Sequence, residues 1–143
     1  MASENFTHLT DHLANARINF ATDDFKAVIV SSIPTEANLD AWEFLNDVTN
    51  EIAAGGEYVA GGFAVTAAVG AVDTTNNRVA VTFSAASPTY TDSTISGVGC
   101  IIYKDTGVAG TSPIAHFVDW DGTVSSTNGN FTATFTTPLY INR

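Results

Sequence analysis

From Gly55 to Ile141 the chain alternates apolar and polar residues in short runs, with clusters of Gly, Asn, Asp and Ser between them. A side-chain period of two sends alternate residues to opposite faces of a pleated strand, so this pattern restricts the region to half-buried β-structure. The run Phe131-Thr132-Ala133-Thr134-Phe135-Thr136 is the plainest case: Phe131, Ala133 and Phe135 share one face, and Thr132, Thr134 and Thr136 the other. Almost nothing in these strands could do chemistry. A chain of this kind works by surface and shape.

The same patterning places the remaining elements. Phe6, Leu9, Leu13, Ala16 and Phe20 recur at spacings of three and four, which predicts a helix over residues 6–20 with these side chains on one face. Residues 25–30 are apolar except for Lys26, as in a strand covered on both faces. Leu39, Trp42, Leu45 and Val48 recur every three residues and predict a second, short helix. Four glycines within residues 55–62 mark a shaped turn. Strands are expected over residues 63–72, 78–83, 94–103, 114–120 and 131–137, with residues 63–72 and 78–83 joined as a hairpin by Asp73-Thr74-Thr75-Asn76-Asn77. Residues 84–92 read as irregular around Pro88, and Pro138 interrupts before Leu139-Tyr140-Ile141. The expected fold is mainly β: an antiparallel β-sandwich, jelly-roll or immunoglobulin-like, with an N-terminal helix and one short additional helix. It forms one compact unit, with residues 1–22 as helix or arm and residues 23–143 as the sandwich.

Charge narrows the partners. Fifteen acids face five bases, for a net charge of −10, and Arg17, Lys26, Arg78, Lys104 and Arg143 are scattered. Phosphate neutralisation dominates nucleic-acid affinity, so neither nucleic acid nor an anionic membrane surface is an expected partner. No run reaches the length of a membrane span, and the N-terminal residues have neither a basic segment nor an apolar segment of a secretory leader. Charged residues are only 14% of the chain, and Ser, Thr and Asn do much of the solubilising. Interface cores are depleted of charge in the same way.

Candidate chemistry is sparse, and each candidate has a simpler structural explanation. Asp119-Trp120-Asp121-Gly122 could open a calcium loop, but it lacks a third regular ligand and a distal Glu, and a solvated strand end accounts for it. His8 and His12 lie four apart, so one helix could present both to a metal, although a solvated helix face is the simpler reading. His116 sits between Ala115 and Phe117 as a partly buried structural histidine would. Cys100 is the only cysteine and reads as a small buried hydrophobe. No Gly-x-Ser-x-Gly elbow or phosphate loop is present. No catalytic residue, cofactor or metal is therefore expected. Trp42 and Trp120 could anchor an interface, with core packing as the alternative.

The order of several motifs resembles that of a group of small virion structural proteins of tailed bacteriophages. The residues that carry the resemblance begin with Ala14-Asn15-Ala16-Arg17-Ile18-Asn19-Phe20, Asp23-Asp24-Phe25-Lys26-Ala27-Val28-Ile29-Val30-Ser31-Ser32 and Asp47-Val48-Thr49-Asn50-Glu51-Ile52. They continue with Tyr58, Gly61-Gly62, Thr94-Ile95-Ser96-Gly97-Val98-Gly99-Cys100-Ile101-Ile102-Tyr103-Lys104-Asp105, Val118-Asp119-Trp120-Asp121-Gly122 and Asn128-Gly129-Asn130-Phe131-Thr132. The resemblance implies no catalytic residues. It implies a capsid decoration, or cement, protein that binds the outside of the phage head, with the major capsid protein as partner. A homo-oligomer, dimer or trimer, is expected, on the virion surface after synthesis in the bacterial cytoplasm. Phe6, Leu9 and Leu13 of the N-terminal helix, with Trp42 and Trp120, are the candidate protein contacts. A tail, neck or fibre-associated component is the alternative. A carbohydrate-binding sandwich that stacks sugars on Trp42 or Trp120 comes next, and a small hydrolase using His116 with Asp119 last.

Overall fold

The structure, a computed structural model, describes residues 2–85, 89–135 and 137–142. It is mainly β and antiparallel, with two short helices. The strands are β1 (Glu4–Asn5), β2 (Phe25–Val30), β3 (Phe63–Asp73), β4 (Arg78–Ala85), β5 (Thr89–Ser93), β6 (Ser96–Lys104), β7 (Ile114–Ser125), β8 (Gly129–Thr132) and β9 (Leu139–Asn142). The helices are α1 (Leu9–Ala14) and α2 (Glu36–Ala41).

Seven strands form one sheet in the order β1-β7-β6-β2-β3-β4-β9, and β5 pairs with β8 as a separate ribbon. The large sheet is rolled until its two edges nearly meet: Asn5 on β1 donates its side-chain amide to the carbonyl of Tyr140 on β9 at 3.0 Å. The result is barrel-like, and two stacked sheets of comparable size, as the expected sandwich requires, are not established by this strand order. Helix α1 lies over the seam, where Phe6, Leu9 and Leu13 face Tyr140 and Ile141 across a cleft of about 410 Å³.

Alternation on each strand divides the core. Ala27 on β2, Cys100 and Ile102 on β6, Val118 on β7, Val81 and Phe83 on β4 and Leu139 on β9 point into the barrel. Val28, Val30, Ile101, Tyr103 and Phe117 point outward, where Leu39 and Trp42 of the α2 region cover them. The β5–β8 ribbon seals one end through Tyr90 and Phe131, which pack with Tyr58 and Ile29. Strands β2 and β6 are thus covered on both faces, as their continuous apolar runs demand. Room is tight here: a side-chain carbon on Gly99 would lie 2.2 Å from the Val118 carbonyl, so glycine lets β6 and β7 close.

Several expected elements are shorter than their patterns. The helix expected over residues 6–20 spans only Leu9–Ala14. Phe6 donates its backbone N–H to Ala115 on β7 (3.1 Å), and Ala16 adopts φ 54, which ends the helix. Ile18 and Phe20 still reach the core from irregular backbone. The second expected helix is divided into α2, capped by Thr35 with Asn38 in a reciprocal pair of bonds, and a 3-10 turn over Leu45–Asp47. The strand expected over residues 131–137 ends at Thr132, yet Phe131 and Ala133 stay buried while Thr132 and Thr134 are exposed. Thr136 lies outside the described residues. The segment read as irregular, residues 84–92, contains the end of β4 and most of β5, with residues 86–88 outside the described set.

Candidate functional site

The groups most capable of chemistry are committed to structure. His116 lies inside the barrel, 2% exposed, with its ring stacked on Phe83 at 6.4 Å. Because Asn5 donates its Nδ2 to Tyr140, its Oδ1 accepts the proton from His116 Nδ1, 2.7 Å away. His116, Asn5 and Tyr140 therefore form a polar clasp across the barrel seam. Nε2 faces the interior with no hydrogen-bond partner among the described residues, and burial pushes the imidazole down to about 4. A histidine held neutral in an apolar interior is not placed to take a proton from a substrate.

Cys100 is fully buried, and burial alone pushes its thiol far above the ordinary range, the opposite of an activated nucleophile. Asp119 is 8% exposed and accepts the Asp121 N–H at 2.8 Å, while Asp121 takes φ 56. These two acids build the turn that the Asp-x-Asp-Gly pattern occupies, and they do not join a third ligand-bearing residue among the described ones.

One group of three possible ligands does occur: Asp11, His12 and Glu43. His8, the expected partner of His12, is outside it, and the two rings sit 6.4 Å apart. The charge of this group is already answered by Arg17, whose guanidinium lies 2.8 Å from Asp11 and 3.3 Å from Glu43. His12 is buried with Nε2 at 3.2 Å from the Glu43 carbonyl, and burial lowers its pKa. The cluster pins α1 to the segment after α2.

A second network was invisible in the sequence because its members are spread over residues 29–103. Tyr58 donates to Glu51 Oε1 (2.9 Å) and accepts the N–H of Ile29 (3.0 Å). Glu51 Oε1 also accepts the N–H of Gly61 (2.8 Å), and the Tyr103 hydroxyl donates to the Gly61 carbonyl. Burial raises both tyrosines well above their ordinary value. This network holds the glycine turn against β2; Gly62, at φ 80, sits so close that a side-chain carbon would fall 1.8 Å from the Ala27 carbonyl.

The residues expected at an interface are mostly consumed within the chain. Phe6 and Leu9 are buried, and Trp42 is 9% exposed and stacked on Phe6. Leu13 packs against the barrel interior. Trp120 packs on Phe131 and donates its indole N–H to the Thr134 carbonyl at 2.9 Å. The uncovered apolar surface lies elsewhere. β3 runs on beyond the end of its β2 ladder, paired only with β4, and here Val69 is 50% and Val72 71% exposed. A register shift between Val69 and Val72 brings both onto the face of Val79 and Val81. Val72 and Val79, with Ile141, border a hollow of about 280 Å³. Nothing in the hydropathy distinguished these valines from core ones.

No family model, curated protein or solved structure matches the chain. Among the described residues no helix is long and apolar enough to cross a membrane.

Proposed function

We propose that this chain is a structural virion protein of a tailed bacteriophage, in its most specific form a capsid decoration protein that binds the outer surface of the head and stabilises the coat lattice. The observation that carries the reading is that the residues of the family resemblance form the framework itself. Asp23 and Lys26 of one motif meet Lys104 and Asp105 of another in two ion pairs, Lys104–Asp23 at 3.0 Å and Lys26–Asp105 at 2.8 Å. Glu51, Tyr58 and Gly61 form the network beside β2, and Trp120 packs on Phe131. Shared residues of this kind fix a shape and leave function to the exposed surface. The protein then acts without catalysis or cofactor, and its binding energy favours the assembled shell because it binds that state alone.

The major capsid protein is the partner of this reading, the virion its location, and a homo-oligomer its working form. Since Phe6, Leu9 and Trp42 are spent internally, the coat contact falls to residues around them. The tail, neck or fibre reading shares the same framework. A sugar platform is less favoured because Trp42 is buried against Phe6, and Trp120 is partly buried on Phe131 with its indole N–H given to the Thr134 carbonyl. For the fold, we carry forward as a proposal a jelly-roll or immunoglobulin-like sandwich, supported by the packing of the β5–β8 ribbon through Tyr90 and Phe131.

The test is cryo-electron microscopy of purified virions with this chain assigned in the density. Density repeated over the head lattice and bridging coat subunits is the expected result. Density confined to the neck or tail replaces the decoration reading with its alternative, and absence from the particle removes both.

A further inference from the structure

We propose that the free edge of β3, residues 66–72, pairs antiparallel with the same edge of a second copy of this chain, making the protein a two-fold symmetric dimer. This names a surface for the oligomer expected above. The ladder between β2 and β3 stops at Val65, opposite Phe25. β3 continues to Asp73 with β4 on its other side only. From Thr66 to Val72 one whole side of the strand therefore has no ladder partner among the described residues. Such edges are normally short, charged, bulged or broken by proline, and of these devices residues 66–72 carry only the register shift between Val69 and Val72. This one reads Thr-Ala-Ala-Val-Gly-Ala-Val.

Three features favour a second copy as the occupant. The first is charge. A chain of net charge −10 repels itself, so two copies can close only where charge is missing, and residues 66–72 carry none. The nearby acids are largely neutralised from within: Asp73 faces Arg78 at 3.8 Å, Asp23 faces Lys104 and Asp105 faces Lys26. Asp24 is the exposed carboxylate left beside the edge, in a groove of about 480 Å³ that also borders Thr66 and Ala67. The second is closure. An isologous contact uses the same patch on both subunits, so it satisfies both open edges at once and leaves none to propagate. The third is the apolar face. Val69 and Val72 lie beside the pairing edge, so a two-fold axis near Val69 and Gly70 sets the valines of both copies side by side on one continuous sheet that runs β9-β4-β3 into the β3-β4-β9 of the second copy.

A ladder of this length is at the small end of specific interfaces, so the dimer should dissociate on dilution. The test is sedimentation velocity on the full chain from low micromolar to submillimolar concentration. The weight-average mass is expected to rise from one chain to two. Added salt should tighten the dimer, because it screens the repulsion between two acidic bodies. The double variant Val69→Lys, Val72→Lys should stay monomeric throughout with unchanged circular dichroism and melting temperature, since both positions are at least half exposed. Ala68→Glu, at another exposed edge position, serves as an independent variant. In hydrogen exchange, the amides of residues 66–72 should gain protection as concentration rises. The proposal is overturned if the parent stays monomeric at every concentration, forms trimers, loosens with salt, or dimerises without protecting these amides. It is equally overturned if both variants keep the dimer. The measurement uses the chain alone, so the location of density on virions neither supports nor harms it.

Discussion

Residues 100–103 of β6 and residues 67–72 of β3 are both uncharged, largely apolar runs within antiparallel strands. The first is wholly inaccessible: Cys100, Ile101 and Ile102 are at 0% and Tyr103 at 2%. The second rises to 71% exposure at Val72. The strands differ in what lies over them. β6 has the barrel interior on one face and the α2 region on the other, with β2 and β7 on its two edges. Outer β3 has a ladder partner on one edge among the described residues, and its Val69 and Val72 are left half or more exposed. Apolar patterning therefore specifies a strand that must be covered, and the topology decides whether the chain itself supplies the cover.

Truncation should separate the two regions most sharply. Ile101→Ala opens a cavity in a layer already sealed by Phe117 and Trp42, and should cost about 3 kcal/mol, within the usual range for a buried Ile. Val72→Ala should fall within about 0.5 kcal/mol of the parent, as exposed substitutions do. Urea unfolding of the two variants at low protein concentration checks both. Equal losses would mean that the hairpin is packed after all.

Acid should also find the closed region first. His116 is buried and neutral, with its pKa lowered to about 4 from an ordinary 6.5. The unfolded chain takes up this proton more readily than the folded one. Its contribution is therefore intact above pH 6.5 and is lost as pH falls toward 4, at most about 3 kcal/mol at one pKa unit per 1.4 kcal/mol. Lowered values at His12 act in the same direction. Denaturant midpoints measured from pH 7 to pH 4 should fall in the parent and fall less in His116→Phe, which keeps the ring stack on Phe83 without the titrating nitrogen. An unchanged slope in the variant would assign the acid sensitivity elsewhere.

Gly62→Ala should come next, at about 2 kcal/mol, because it forces a left-handed backbone on alanine and drives its side chain into the Ala27 carbonyl. Gly110→Ala, with nothing within 4 Å, is the matched control and should be nearly silent. Thermal melts of the pair decide whether the glycine turn is a close-packed joint or merely a loop.

The legibility of this molecule in its sequence follows the same division. β2 was readable to the residue, because a run buried on both faces has hard ends at Asp24 and Ser31. The β3–β4 hairpin was readable from its Asx turn. The helix over residues 6–20 was overextended because Ile18 and Phe20 continue a helical spacing while serving the core from irregular backbone. β1 was missed because its two residues, Glu4 and Asn5, have no apolar pattern, and they are strand only because β7 offers them an edge. The rolling of one sheet into a barrel was also out of reach, since alternation says which face is apolar and not which strands adjoin. Phe6, Leu9, Leu13, Trp42 and Trp120 drew attention as large apolar residues. Burial consumed most of that set, and modest valines were left outside.

The smallest effect expected is at the hairpin tip, and it asks whether the exposed region has a local order of its own. Asp73 accepts the N–H groups of Thr75 and Asn76 at 3.0 Å each and the Asn76 side-chain amide at 2.6 Å. These donors hold its carboxyl below the ordinary carboxylate range. The depressed value means that the turn is favoured above the unfolded pKa and loosens as pH falls through the folded one. Because the group is at the surface, the consequence is local fraying and not global unfolding. Asp73→Ala should leave the urea midpoint near that of the parent and speed hydrogen exchange at residues 74–79 alone, at neutral pH. If exchange also rises at residues 100–103, the hairpin is mechanically continuous with the barrel, and the contrast between covered and uncovered strands loses its thermodynamic meaning.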